Sequence, residues 1–133
     1  MNLKDKSSKK IKMNKIALLC DFEIVLYAYD CEFADEKDIE IVFKSKNPES
    51  FIDFLKSENV DLLIIDLNDR KDLDIKWAKE FKTIKKDLKI ILLSNPFSES
   101  HESKKLETDY CKVLDKTILL NHFMIEVKNY LAH

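Results

Sequence analysis

Four residues stand where short apolar runs give out, and their types suggest a single chemistry. Asp21 follows the run 15–20, Asp66 lies near the end of the run 61–67, Ser94 follows 88–93, and Lys116 follows 111–114. Two carboxylates make a hard-oxygen pair of the kind Mg²⁺ accepts while keeping several waters, with a phosphate as a further ligand. A hydroxyl and an ammonium opposite them would hold phosphoryl oxygens. A carboxylate can also be the nucleophile and form an acyl phosphate. The chemistry suggested is phosphoryl transfer onto Asp66. Cys20 is a rival nucleophile, but Asp21 and Glu23 beside it repel phosphate and raise the thiol pKa, and neither Gly nor Arg follows to receive an anion.

These residues need elements to bring them together. Lys15 to Cys20 reads as a buried strand, and a helix follows with Ile24, Val25, Ala28 and Cys31 at helical spacing. Asp38 to Phe43 is a second strand. Asn47-Pro48-Glu49 opens a helix, since Asn can cap, Pro suits the first helical position and Glu favours the dipole. Phe51, Ile52 and Leu55 form its inner face, and Asn59 takes the terminating position usual for Gly. The third strand is Asp61 to Leu67, followed by a helix with Leu73, Trp77, Phe81 and Ile84 on one face. Leu88 to Leu93 is the fourth strand. Asn95-Pro96 breaks the chain, and the polar segment 98–107 carries only Leu106 as an apolar anchor. Cys111 to Leu114 is a short fifth strand. Thr117 caps a last helix whose inner face is Leu120, Phe123, Met124, Val127 and Leu131.

Strands joined by crossovers of this length pair in parallel, and right-handed crossovers put helices on both faces. The expected fold class is α/β: a single doubly wound, flavodoxin-like, five-stranded parallel sheet of order 2-1-3-4-5. Ligands in such sheets bind outside the carboxyl ends of the strands, where Asp21, Asp66, Ser94 and Lys116 would meet. The domain is expected over 14–133, after a basic flexible tail over 1–13.

Composition narrows the function. The 133 residues contain no Gly, which excludes the phosphate-cradling loops of P-loop and dinucleotide-binding enzymes. Residues 1–15 carry a net charge of +5, and the remainder carries −7. An acidic body lacks the Lys and Arg density that phosphate backbones demand, so no nucleic acid is expected on this domain directly. No apolar run approaches the roughly 20 residues that span a bilayer, so no membrane partner is expected either. Three cysteines at unrelated spacings argue for reduced thiols and a cytoplasmic protein. The three scattered histidines form no zinc pattern.

The segment 60–68 (VDLLIIDLN) closely resembles the phosphoacceptor strand of response-regulator receiver domains, and the resemblance covers about residues 14–131. It implies that Asp66 is the phosphoacceptor, that the main-chain carbonyl of Asn68 helps Asp21 and Asp66 hold Mg²⁺, and that Ser94 and Lys116 grip the phosphoryl group. It also implies a two-component phosphorelay in which a histidine kinase or phosphotransfer protein phosphorylates Asp66. A downstream protein partner and a homodimer are the further partners it suggests, and the domain itself is not an enzyme.

The sequence departs from that family in places. Receivers usually carry two acids after strand one, whereas Cys20 takes one place here, so Mg²⁺ should bind weakly. Val113 stands where the family has a switch aromatic, and Tyr110 lies three residues earlier. Thr117 and Arg70 replace common prolines. These departures keep two alternatives open. One is a degenerate receiver acting as a phosphorylation-independent docking module. The other is the N-terminal receiver part of a longer DNA-binding regulator. In the phosphorylated case, the message is expected to leave through the Ser94 loop, the segment 98–107 and the face of strand five and the last helix.

Overall fold

The computed structural model describes residues 12–67, 73–94, 111–116, 118 and 120–132. Nine elements follow one another along them: β1 (Asn14–Cys20), α1 (Glu23–Phe33), β2 (Ile39–Ser45), α2 (Glu49–Ser57), β3 (Leu62–Asp66), α3 (Leu73–Ile84), β4 (Lys89–Ser94), β5 (Lys112–Asp115) and α4 (Leu120–Ala132). The sheet order is β2-β1-β3-β4-β5 and every pairing is parallel, as the helical crossovers between the first four strands require for those pairs. The expected tail and the segment 98–107 with its Leu106 lie outside the described residues, as do Arg70, Asn95, Pro96, Tyr110 and Thr117.

Successive strand residues face opposite ways, so each central strand feeds two cores. Ala17 and Leu19 of β1, Leu63 and Ile65 of β3, and Ile90 and Leu92 of β4 pack with Phe51, Leu55, Ala78 and Phe81 of α2 and α3. Ile16, Leu18, Leu62, Ile64, Ile91 and Leu93 pack on the other face with Tyr29 and Phe33 of α1 and Phe123, Met124 and Val127 of α4. A strand buried on both faces must be apolar throughout, which is why β3 reads as an unbroken run. In the ladder between β1 and β2 the register shifts between Ile16 and Ala17, so Leu18 and Leu19 face Lys44 and Ser45.

Local signals behave largely as their chemistry dictates. The Asn47 side-chain oxygen accepts the Glu49 N–H at 3.0 Å and caps α2. That helix ends when Glu58 turns extended, after its N–H reaches the Phe54 carbonyl at 2.9 Å, one residue before Asn59. In α3 the deepest residues are Ile75, Ala78 and Phe81, and Trp77 stacks on Phe81 at 5.6 Å from the edge of that core.

The inner face of α1 differs from the sequence reading. Ile24, Ala28 and Cys31 are exposed, whereas Tyr29 and Phe33 are buried, with Val25 and Leu26 partly so. Every residue from Ile24 to Tyr29 is apolar or aromatic, so spacing alone leaves the helix phase open. The phase that buries the two large rings is the one observed, and ion pairs on its flank accompany it: Lys46, just after β2, reaches Glu23 at 3.1 Å, and Lys44 of β2 pairs with Asp30. The Tyr29 and Phe33 rings lie against the sheet, where their burial outweighs such surface pairs, and Phe123 packs against both.

Candidate functional site at the carboxyl edge of the sheet

Asp66 is the last residue of β3 and is paired in register with Cys20, the last residue of β1. Cross-strand partners stand about 4.8 Å apart and point the same way. Asp66 therefore follows Leu62 and Ile64 onto the face covered by α1 and α4. The next residue along β1, Asp21, is half-buried, and its N–H donates to the Asp66 carbonyl at 3.3 Å. This main-chain bond ties the two acid-bearing strand ends together.

The Asp66 carboxylate is held on both oxygens. Lys116, just after β5, places its Nζ 3.3 Å from Oδ1. The same ammonium donates to the Leu67 carbonyl oxygen at 3.1 Å. The side chains of Lys116 and Asp66 are only 21% and 17% exposed, so solvent screens this pair less than an ordinary surface ion pair. On the other side, the Tyr29 hydroxyl donates to Oδ2 at 3.1 Å. Burial, reinforced by the negative charge of Asp66, pushes the Tyr29 hydroxyl far above the ordinary tyrosine range, so it remains a donor.

The sequence reading missed Tyr29. The stripe Glu23, Tyr27 and Asp30 marks a polar flank of α1 but leaves open which neighbouring face, Ile24 and Ala28 or Tyr29 and Phe33, meets the sheet. Ser94 ends β4, with its backbone in register with Asp115 of β5. Asn68 lies outside the described residues. The structure thus brings Asp66, Asp21, Lys116 and the end of β4 to one edge, as strand-end placement implies.

Cys20 stands beside Asp66 across the β1–β3 ladder. Its thiol is buried and contacts the Phe22 carbonyl oxygen at 3.6 Å. Burial first, then the charges of Asp66 and Asp21, push it from an ordinary 9.0 to about 11. A neutral thiol is neither a hard-metal ligand nor a nucleophile at neutral pH. The raised value also makes a stability statement. The unfolded chain releases this proton near 9.0 and the folded chain only near about 11, so native stability is retained below the first value and declines as pH climbs toward the second. Urea unfolding across that window should show a smaller decline for Cys20→Ala than for the parent, and equal declines would contradict the assignment.

Among the described residues, no group of three or more His, Cys, Asp or Glu is gathered as a metal cage would require. The donor chemistry is that of an open hard-oxygen site: Asp21 and Asp66 at adjoining strand ends, and a protonated thiol in the third place. Such a set suits Mg²⁺, which is commonly held by one or two carboxylates with waters and a phosphate completing its shell.

No protein-family model and no curated protein matches the sequence. The fold has clear likenesses among solved structures. A response regulator from Thermotoga maritima is 15% identical with a TM-score of 0.75, over 91% of this chain and 99% of that one. A CheY-like response regulator receiver domain protein from Methanospirillum hungatei is 12% identical with a TM-score of 0.76, over 91% and 95%. The isolated receiver domain of RcsB from Salmonella enterica serovar Typhimurium, solved with the phosphomimetic BeF3-, is 19% identical with a TM-score of 0.72, over 89% and 90%. The chain has the receiver-domain fold. No helix among the described residues is long and apolar enough to cross a membrane.

Proposed function

We propose that this receiver-fold domain accepts a phosphoryl group on Asp66 from a histidine kinase or phosphotransfer protein, in a cytoplasmic two-component pathway. The observation that carries this reading is the ion pair of Lys116 and Asp66, largely buried at the carboxyl edge of a parallel sheet. Lys116 reaches Asp66 from 50 residues along the chain, and it sets an ammonium beside the carboxylate that a phosphoryl group would join.

In the transfer, an Asp66 carboxylate oxygen forms the new O–P bond. The N–P bond of the donor phosphohistidine breaks, and its electron pair returns to the imidazole. Lys116 has three donors, so it can keep its bonds to Oδ1 and the Leu67 carbonyl while offering a third to a phosphoryl oxygen. Asp21, Asp66 and the Asn68 carbonyl would hold Mg²⁺, which when bound offsets the negative charge that gathers on the phosphoryl oxygens. Ser94 is the hydroxyl proposed to hold a further phosphoryl oxygen. The kinase supplies the activated group, and this chain supplies alignment and electrostatics. The domain is not itself an enzyme on this reading. Its message passes to a downstream protein or to a second copy of the chain.

One observation favours a second reading. Cys20 removes a carboxylate from the pair and leaves a protonated thiol in its place. A constitutive docking module, indifferent to phosphorylation, would tolerate that loss. Beryllofluoride, which mimics an aspartyl phosphate, separates the two. Titrated with Mg²⁺ present and followed by fluorine NMR, it should give a saturable bound signal that Asp66→Asn abolishes. No bound signal at any Mg²⁺ concentration would favour the docking module.

A further inference from the structure

Phosphoryl transfer to Asp66 needs its carboxylate oxygens presented to incoming groups, yet Oδ2 is taken by a side chain with no part in that chemistry. The donor is the Tyr29 hydroxyl, at 3.1 Å. Tyr29 is 6% exposed, and its ring lies 5.5 Å from that of Phe123 on α4, which in turn packs edge-on against Phe33 at 6.3 Å. A chain of packed rings therefore runs from the carboxylate, through α1, into the core beneath α4. We propose that Tyr29 is a positioning residue for Asp66: its hydroxyl holds Oδ2 in the resting domain, competes for that oxygen with an incoming phosphoryl or metal group, and on leaving passes the state of Asp66 to α4 through Phe123.

The physical basis is the change in the acceptor. A carboxylate oxygen accepts a charge-assisted hydrogen bond, roughly twice as strong as a neutral one. Once Asp66 carries a phosphoryl group, neither of its oxygens is charged, one being the bridge to phosphorus and the other a neutral carbonyl, and that advantage is gone whichever oxygen Tyr29 faces. The hydroxyl stays on a weaker acceptor or leaves it, and in either case the ring feels the change. Phe123, Met124 and Val127 share one packed core with that ring, and interiors at native density transmit such shifts.

The proposal rests on Asp66 being the phosphoacceptor, and the test keeps the two apart. Protein labelled with fluorotyrosine, its Tyr29 signal identified by loss in Tyr29→Phe, is titrated with Mg²⁺ and beryllofluoride. Binding is read independently from the bound-fluoride signal. The Tyr29 signal should move in step with saturation. Tyr29→Phe, which keeps the ring volume, should bind beryllofluoride about tenfold more tightly, a fraction of what a hydrogen bond to a charged group is worth. A Tyr29 signal that stays fixed at full saturation, or an unchanged affinity in Tyr29→Phe, overturns the proposal and leaves Asp66 as the phosphoacceptor. Absence of binding in both proteins overturns the phosphoacceptor reading, and the role of Tyr29 with it.

Discussion

Cys20→Asp is expected to tighten Mg²⁺ binding by on the order of tenfold or more, and to make the stability of the domain depend on that ion. The substituted side chain would lie in register with Asp66 and next to Asp21. A third carboxylate there gives a divalent ion a further charged oxygen at close range, in surroundings where charges are poorly screened. The same crowding is unfavourable when no cation is present, since like charges repel and a buried charge without a partner is costly. The variant should therefore melt below the parent in chelator and gain more than the parent as Mg²⁺ is added. The gain should follow mass action, about 2.7 kcal/mol at a hundredfold excess over the dissociation constant. Isothermal titration and thermal melts with and without Mg²⁺ check both halves. An unchanged affinity would mean that the edge formed by Cys20 and Asp66 is not where the metal sits.

Lys116→Met is expected to slow phosphorylation by a small phosphodonor on the order of a hundredfold, the usual effect of removing one positioned donor from a developing charge. The methionine keeps much of the length and apolar stem but drops the ammonium that reaches both Asp66 Oδ1 and the Leu67 carbonyl. Stability should fall as well, by about 1–3 kcal/mol. That is less than for a fully buried pair, because both partners keep roughly a fifth of their exposure. The two effects separate by experiment: urea unfolding reports the structural part, and the initial rate of phosphorylation on fully folded protein reports the other. If stability falls but the rate does not, Lys116 only braces the strand ends.

The centre of the sheet was legible because β1, β3 and β4 are buried on both faces, and an unbroken apolar run such as 62–65 has few other uses in a domain of this size. The convergence of Asp21, Asp66 and Lys116 followed from topology, since parallel strands in this order deliver their carboxyl ends to one edge. Helix α1 resisted the same reasoning. Its apolar residues run around the helix, so period alone could not say whether Ile24 or Tyr29 faces inward. The deciding force is the packing of the Tyr29 and Phe33 rings against Phe123, a partner distant in sequence. The bond from Tyr29 to Asp66 was hidden for that reason, because it joins residues 37 apart whose meeting depends on the phase of α1. Cys20 was clearer: the resemblance to receiver domains implies an acid at its place, and burial keeps the thiol protonated.

The most direct measurement of the central claim is the intact mass of the full chain after incubation with Mg²⁺ and a small acyl-phosphate donor. The parent protein should gain the mass of one phosphoryl group, with the modification lost under the mild alkali that hydrolyses acyl phosphates. Asp66→Asn, which keeps the shape of the side chain but loses the nucleophilic carboxylate, should gain nothing. A parent protein that stays at its starting mass, or an Asp66→Asn protein that gains the same phosphoryl group, would contradict the assignment of Asp66 as the phosphoacceptor.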